Sequence, residues 1–76
     1  MTNTEWLTTY YNWGRVFAHK VLRLQGHKRW EAILERGLTL VKANQVAQDR
    51  GFKEQILTAF INGTVRTFGE LEKEEV

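Results

Sequence analysis

The sequence contains no cysteine and no proline, a single methionine, and no apolar run longer than four residues. The missing cysteine excludes disulfides, thiolate nucleophiles, Cys-type zinc sites and iron–sulfur clusters. The short apolar runs exclude a membrane-spanning helix, which needs about 20 consecutive apolar residues. The start of the chain, Met1-Thr2-Asn3-Thr4-Glu5, is polar. It lacks the basic and apolar regions of a secretory signal, so a cytoplasmic location with no membrane partner is expected. Average usage would place roughly four prolines in a chain of this length. Proline breaks helix interiors and punctuates loops, so its absence favours helices joined by short, glycine-marked turns.

What the chain does have suits one small globular domain of 76 residues. A domain of this size has an expected net stability of only about 4–11 kcal/mol. It therefore needs the large apolar area that three Trp, two Tyr and four Phe supply. The six glycines provide punctuation. Gly26, Gly37, Gly51 and Gly63 each follow an apolar-periodic stretch, as glycine does just past a helix end.

The periodicity predicts a first helix over Glu5–Leu24, with Trp6, Tyr10, Trp13, Phe17, Val21 and Leu24 on one apolar stripe. A second helix is predicted over His27–Arg36, burying Trp30, Ile33 and Leu34. A third is predicted over Leu40–Arg50, with Thr39 as N-cap and Leu40, Ala43, Val46 and Ala47 inward. A fourth is predicted over Lys53–Asn62, burying Ile56, Leu57 and Phe60. The β-branched and aromatic run Thr64–Phe68 suggests one short strand. The expected fold is an all-α, small four-helix domain over residues 1–69, containing a helix-turn-helix and ending in a frayed acidic tail, 70–76.

Charge is unevenly placed. Residues 1–69 hold ten Lys or Arg against five Asp or Glu, whereas residues 70–76 hold one Lys against four Glu. Between Glu5 and Glu31 there is no acid, while Arg15, His19, Lys20, Arg23, His27, Lys28 and Arg29 fall in that window. A basic surface interleaved with aromatic side chains suits phosphates. It equally suits an acidic protein partner, because Trp and Arg are favoured interface anchors.

Ala43 to Asn62 reads ANQVAQDRGFKEQILTAFIN. Ala47 is the small residue that a crossing helix requires, and Gly51 can take the positive φ of a tight turn. Phe52, Leu57 and Phe60 supply a turn plug and an inner apolar face. On these residues, Ala47 to Phe68 resembles the helix-turn-helix and following strand of the phage Cro and repressor family. That resemblance implies a small phage-like transcription regulator whose second helix enters the major groove of duplex DNA, with protein dimers reading palindromic sites. Lys53, Gln55, Thr58 and Asn62 would then approach base edges, while Lys42, Arg50 and Arg66 position the backbone.

A second reading makes the first helix an interface. Tyr11, Arg15, His19, Lys20 and Arg23 would face an acidic protein surface, such as a host transcription or defence protein, with the exposed members of Trp6, Tyr10, Tyr11 and Trp13 as anchors. An enzyme is not expected, since no Gly-rich phosphate loop or HExxH sequence occurs. His27 and Glu31 stand at a metal-compatible spacing but lack a suitable third ligand, and a surface pair is the simpler account. No cofactor is expected.

Overall fold

A computed structural model describes residues 2–74. It is all-α: α1 (Asn3–Lys20), α2 (His27–Lys42), α3 (Gln45–Asp49) and α4 (Lys53–Glu74), with no strand among the described residues.

α1 opens on a capping box. The Thr2 hydroxyl accepts from the Glu5 amide at 3.2 Å, and the Glu5 carboxylate accepts from the Thr2 amide at 3.4 Å, satisfying two donors that a helix start leaves open. Its buried residues, Trp6, Tyr10, Gly14 and Ala18, recur every four positions, and Gly14 among them lies directly against α4. α1 and α4 run parallel. Trp6 meets the Phe52 ring at 6.3 Å, Gly14 lies against Phe60 and Thr64, and Arg15 pairs with Glu70, so both helices advance together. α2 runs back antiparallel to α4 and packs on it, with Trp30 at Phe68 and Gly37 at Leu57 and Phe60.

Two glycines bring α1 and α4 together. A Cβ on Gly14 would run into the Phe60 carbonyl, and a Cβ on Gly63 into the Tyr11 carbonyl. Each obstacle is backbone, which no rotamer change can move aside. Ala18 and Ala59, small residues on the same two helices, are also buried.

The turns are held by side chains. Arg29 donates from Nε to the Leu24 carbonyl at 3.0 Å and from Nη2 to the Leu22 carbonyl at 3.2 Å, tying the 21–26 loop to the start of α2. Its guanidinium lies 4.5 Å from the centre of the Phe68 ring. Asn44 caps α3 by accepting from the Ala47 amide at 3.0 Å, and it donates to the Tyr10 hydroxyl at 3.2 Å. Gly51 turns the chain at φ 69°, and the Phe52 amide then donates to the Ala47 carbonyl at 2.9 Å.

Several sequence expectations are corrected. Residues 64–68 are helical, not a strand, because Thr64 and Thr67 lie buried and their hydroxyls donate to the Ile61 and Gly63 carbonyls of their own helix. The tail is not frayed at residue 70: α4 continues through Gly63 and Gly69 to Glu74, and residues 75–76 lie outside the described part. α2 passes Gly37 and ends at Lys42, since Gly37 serves close packing rather than termination. α1 stops at Lys20, and α3 is a five-residue helix capped by Asn44, not Thr39. Trp30, Leu34, Ala43 and Val46 are exposed rather than buried.

Candidate functional site

The two sets of candidate residues fall on different sides of the molecule. Gln55, Thr58 and Asn62 come together on the outer flank of α4, where with Leu7, Glu54 and Ala59 they line an open groove of about 420 Å³. Lys53 lies toward α3, in a hollow shared with Gln45, Gln48, Asp49 and Glu54. Lys53 and Lys42 are exposed and come together, because the start of α4 lies beside the end of the antiparallel α2: both line one hollow with Leu38, Gln48, Glu54 and Leu57. The Arg50 guanidinium lies 4.9 Å from the centre of the Trp6 ring. Arg66 is held by Glu70 at 3.3 Å. The α4 flank thus mixes both signs of charge, and two of its expected cations are engaged within the fold.

Arg15 and Arg66 converge on one carboxylate. Arg15 donates to both Glu70 oxygens, at 3.5 and 3.0 Å, and Arg66 to one of them. These bonds hold the Glu70 carboxyl below the usual carboxylate range, the Arg66 hydrogen bond being the main cause, with Arg15 adding to it and burial opposing. A carboxyl lowered on folding stabilises the fold fully above its unfolded value of about 4.3 and loses that contribution as pH falls through the folded value. Melting curves of Glu70→Gln and the parent chain should therefore differ at about pH 7 and coincide at about pH 2. The difference at neutral pH should be small, because the cluster is exposed. A difference persisting undiminished in acid would contradict this account.

Along the other side of α1, Trp13, Val16 and Lys20 face α2. Trp13 is 45% and Val16 59% exposed, an unusual placement for large apolar side chains on adjacent turns. Together with Phe17, Arg36, Leu40 and Phe60 they line a groove of about 280 Å³. The Trp13 ring stacks on Tyr10 at 4.8 Å, and the Tyr10 hydroxyl donates to the Leu40 carbonyl at 3.4 Å, so this aromatic wall is braced from behind. Phe17 and Phe60, 5.9 Å apart, form its floor. Lys20 and Arg36 are the charged members, and no carboxylate lines the groove. His19, Lys20 and Arg23 extend the same end as exposed cationic or titratable groups with no ion-pair partner among the described residues.

Of the first-helix candidates, Lys20 lines this groove, while His19 and Arg23 lie exposed near its end. Tyr11 is half-buried beside Gly63, and Arg15 is engaged by Glu70, on the α4 side. Sequence reasoning named Trp13 as a possible anchor but missed Val16, Arg36 and Leu40. The signal for Val16 was available, since it lies three residues from Trp13 and four from Lys20 on one helix face. Arg36 and Leu40 come from a second helix, whose pairing with α1 no local pattern reveals. Among the described residues no group of three or more His, Asp or Glu is set to hold a metal, and no helix is long and apolar enough to cross a membrane. No protein-family model matches the chain, no curated protein matches it, and no solved structure does.

Proposed function

We propose that the protein is a small binding module that docks on an acidic protein segment through the α1–α2 groove. The observation that carries this reading is the groove itself, with solvent-facing Trp13 and Val16 alongside Lys20 and Arg36 and no carboxylate in its lining among the described residues. An aromatic anchor beside cations fits an acidic segment that presents one apolar side chain. The apolar part supplies affinity and the charges supply orientation and approach rate.

The gene-control reading has one observation in its favour: the chain bends at Gly51, and Gln55, Thr58 and Asn62 lie exposed on one flank beyond that bend. Against it, Asp49 and Glu54 share that surface, and a reading helix must approach a phosphate-lined groove.

Titration of isotope-labelled protein with two probes separates the readings: a glutamate-rich peptide carrying a single Phe, and a mixed-sequence DNA duplex. The peptide is expected to shift the amides of Trp13, Val16, Lys20, Arg36 and Leu40. Lys20→Glu with Arg36→Glu should weaken it by about tenfold or more, and Trp13→Ala should cost about 2 kcal/mol of binding. Duplex-induced shifts gathered on Lys53, Gln55, Thr58 and Asn62, with none from the peptide, would overturn the docking proposal in favour of DNA.

A further inference from the structure

α2 carries a second apolar stripe, on the flank turned away from the docking groove. Trp30, Leu34 and Leu38, each four residues from the next, are 43%, 46% and 45% exposed. On α4, Leu57, Ile61 and Val65 repeat the spacing, the first two half-buried and Val65 49% exposed. Antiparallel packing sets the stripes side by side. Trp30 meets Phe68 edge-on at 6.2 Å, Gly37 lies against Leu57, and Leu38 and Leu57 line one hollow. An apolar strip, bordered at the Leu38–Leu57 hollow by Lys42, Gln48, Lys53 and Glu54, thus runs along a molecule whose Cα trace is 43 Å long and 14 Å deep. The largest apolar patch on a typical monomeric protein is about 300–600 Å² and is often functional.

We propose that this strip is where two copies of the chain pair, antiparallel, about a twofold axis. Such an axis demands a surface complementary to itself: a residue some steps before the axis must suit the residue equally many steps after it. An axis crossing α2 level with Arg36 sets Leu34 against Leu38 of the second copy, and Trp30 against Lys42 of the second copy. The contacts of Trp30 with Phe68 and of Gly37 with Leu57 and Phe60 place that level close to Ile61 on α4. About Ile61, Leu57 is set against Val65 and Ile61 against its own counterpart. The α4 stripe is symmetric about that axis, and on α2 the Leu34–Leu38 pair is, with Trp30 left facing Lys42 rather than an apolar side chain.

Charge agrees with the same axis. Glu31 and Lys42 flank the α2 stripe on one edge, toward its two ends, and both are exposed. Pairing brings Glu31 of each copy to within one residue's rise, about 1.5 Å along the helix, of the level of Lys42 on the other. The Lys42 ammonium also comes within reach of the Trp30 ring. The strip offers roughly 400 Å² per copy, half the ~800 Å² of a standard interface, which sets a weak, concentration-dependent dimer.

Sedimentation equilibrium of the full chain, from about 10 μM to about 1 mM, tests this. The mass should rise from 8.9 kDa toward twice that value. Glu31→Lys and Lys42→Glu should each raise the dimer Kd by about tenfold, because symmetry repeats the mismatch, and the two together should restore it. Leu34→Glu should leave a monomer with unchanged far-ultraviolet circular dichroism. A chain that remains at 8.9 kDa throughout, or a dimer indifferent to both charge reversals, would overturn the proposal. So would concentration-dependent amide shifts on Trp13, Val16 and Lys20 in place of Leu34, Leu38, Ile61 and Val65. The strip and the docking groove lie on opposite flanks of α2, so either proposal can fail alone.

Discussion

Gly63→Ala is expected to lower the unfolding free energy by about 3 kcal/mol, the upper part of the range for overpacking a close contact. In a chain of this size that is a fall in Tm of roughly 12–24 °C. In an isolated helix the same change would stabilise by about 1 kcal/mol, since alanine is the better helix former. The sign reverses because the new methyl would occupy the space of the Tyr11 carbonyl and crowd the Arg15 amide. Relief requires α1 and α4 to separate, which loosens every contact between them. Gly14→Ala should behave alike, meeting Phe60 and Thr64 backbone. Gly69→Ala is the internal contrast: it lies on α4 with open space around it, and should raise stability by about 1 kcal/mol. Thermal and urea unfolding of the three variants checks the prediction. A neutral Gly63→Ala would show that the two helices do not approach as described.

Phe60→Ala should be comparably damaging, at about 3–5 kcal/mol. Phe60 is one of the largest side chains wholly inside the molecule, and it touches all three long helices: its carbonyl lies at Gly14, and its ring faces Phe17 and Gly37. Little can collapse into the void from α2, because its neighbour there, Gly37, has no side chain to move. The same ring floors the docking groove, so any folded fraction of the variant should also lose affinity for the acidic peptide. Denaturant unfolding measures the first effect. A loss below about 1 kcal/mol would contradict the packing described.

The predominance of helix and the turns at Gly26 and Gly51 were legible in the sequence, whereas the turn at 43–44, capped by Asn44, was not. Gly26 and Gly51, at φ 60° and 69°, end stretches of chain as glycine punctuation suggests. Gly37 and Gly63 carry the same letter but a different physics. Their missing Cβ admits a neighbouring helix, and nothing nearby in sequence distinguishes the two uses. The β-branched run 64–68 misled for a related reason. Its threonines face α1 from inside α4 and satisfy their hydroxyls on their own backbone, so packing overrides β propensity. The docking groove was half legible: Trp13 and Lys20 share a face of α1, but Arg36 and Leu40 reach it only because α2 packs on α4 beside α1.

The parallel pairing of α1 and α4 also bears on how the chain comes to be made. Each helix finds its mate only across the intervening α2 and α3, and sequential neighbours offer α1 little cover. At about 5–20 residues per second, a ribosome exposes the α1 stripe roughly 2–10 s before the opposing stretch of α4 emerges. During that interval Trp6, Tyr10 and Ala18 have nowhere to hide. The contact between α1 and α4 can therefore close only after synthesis has passed Gly63.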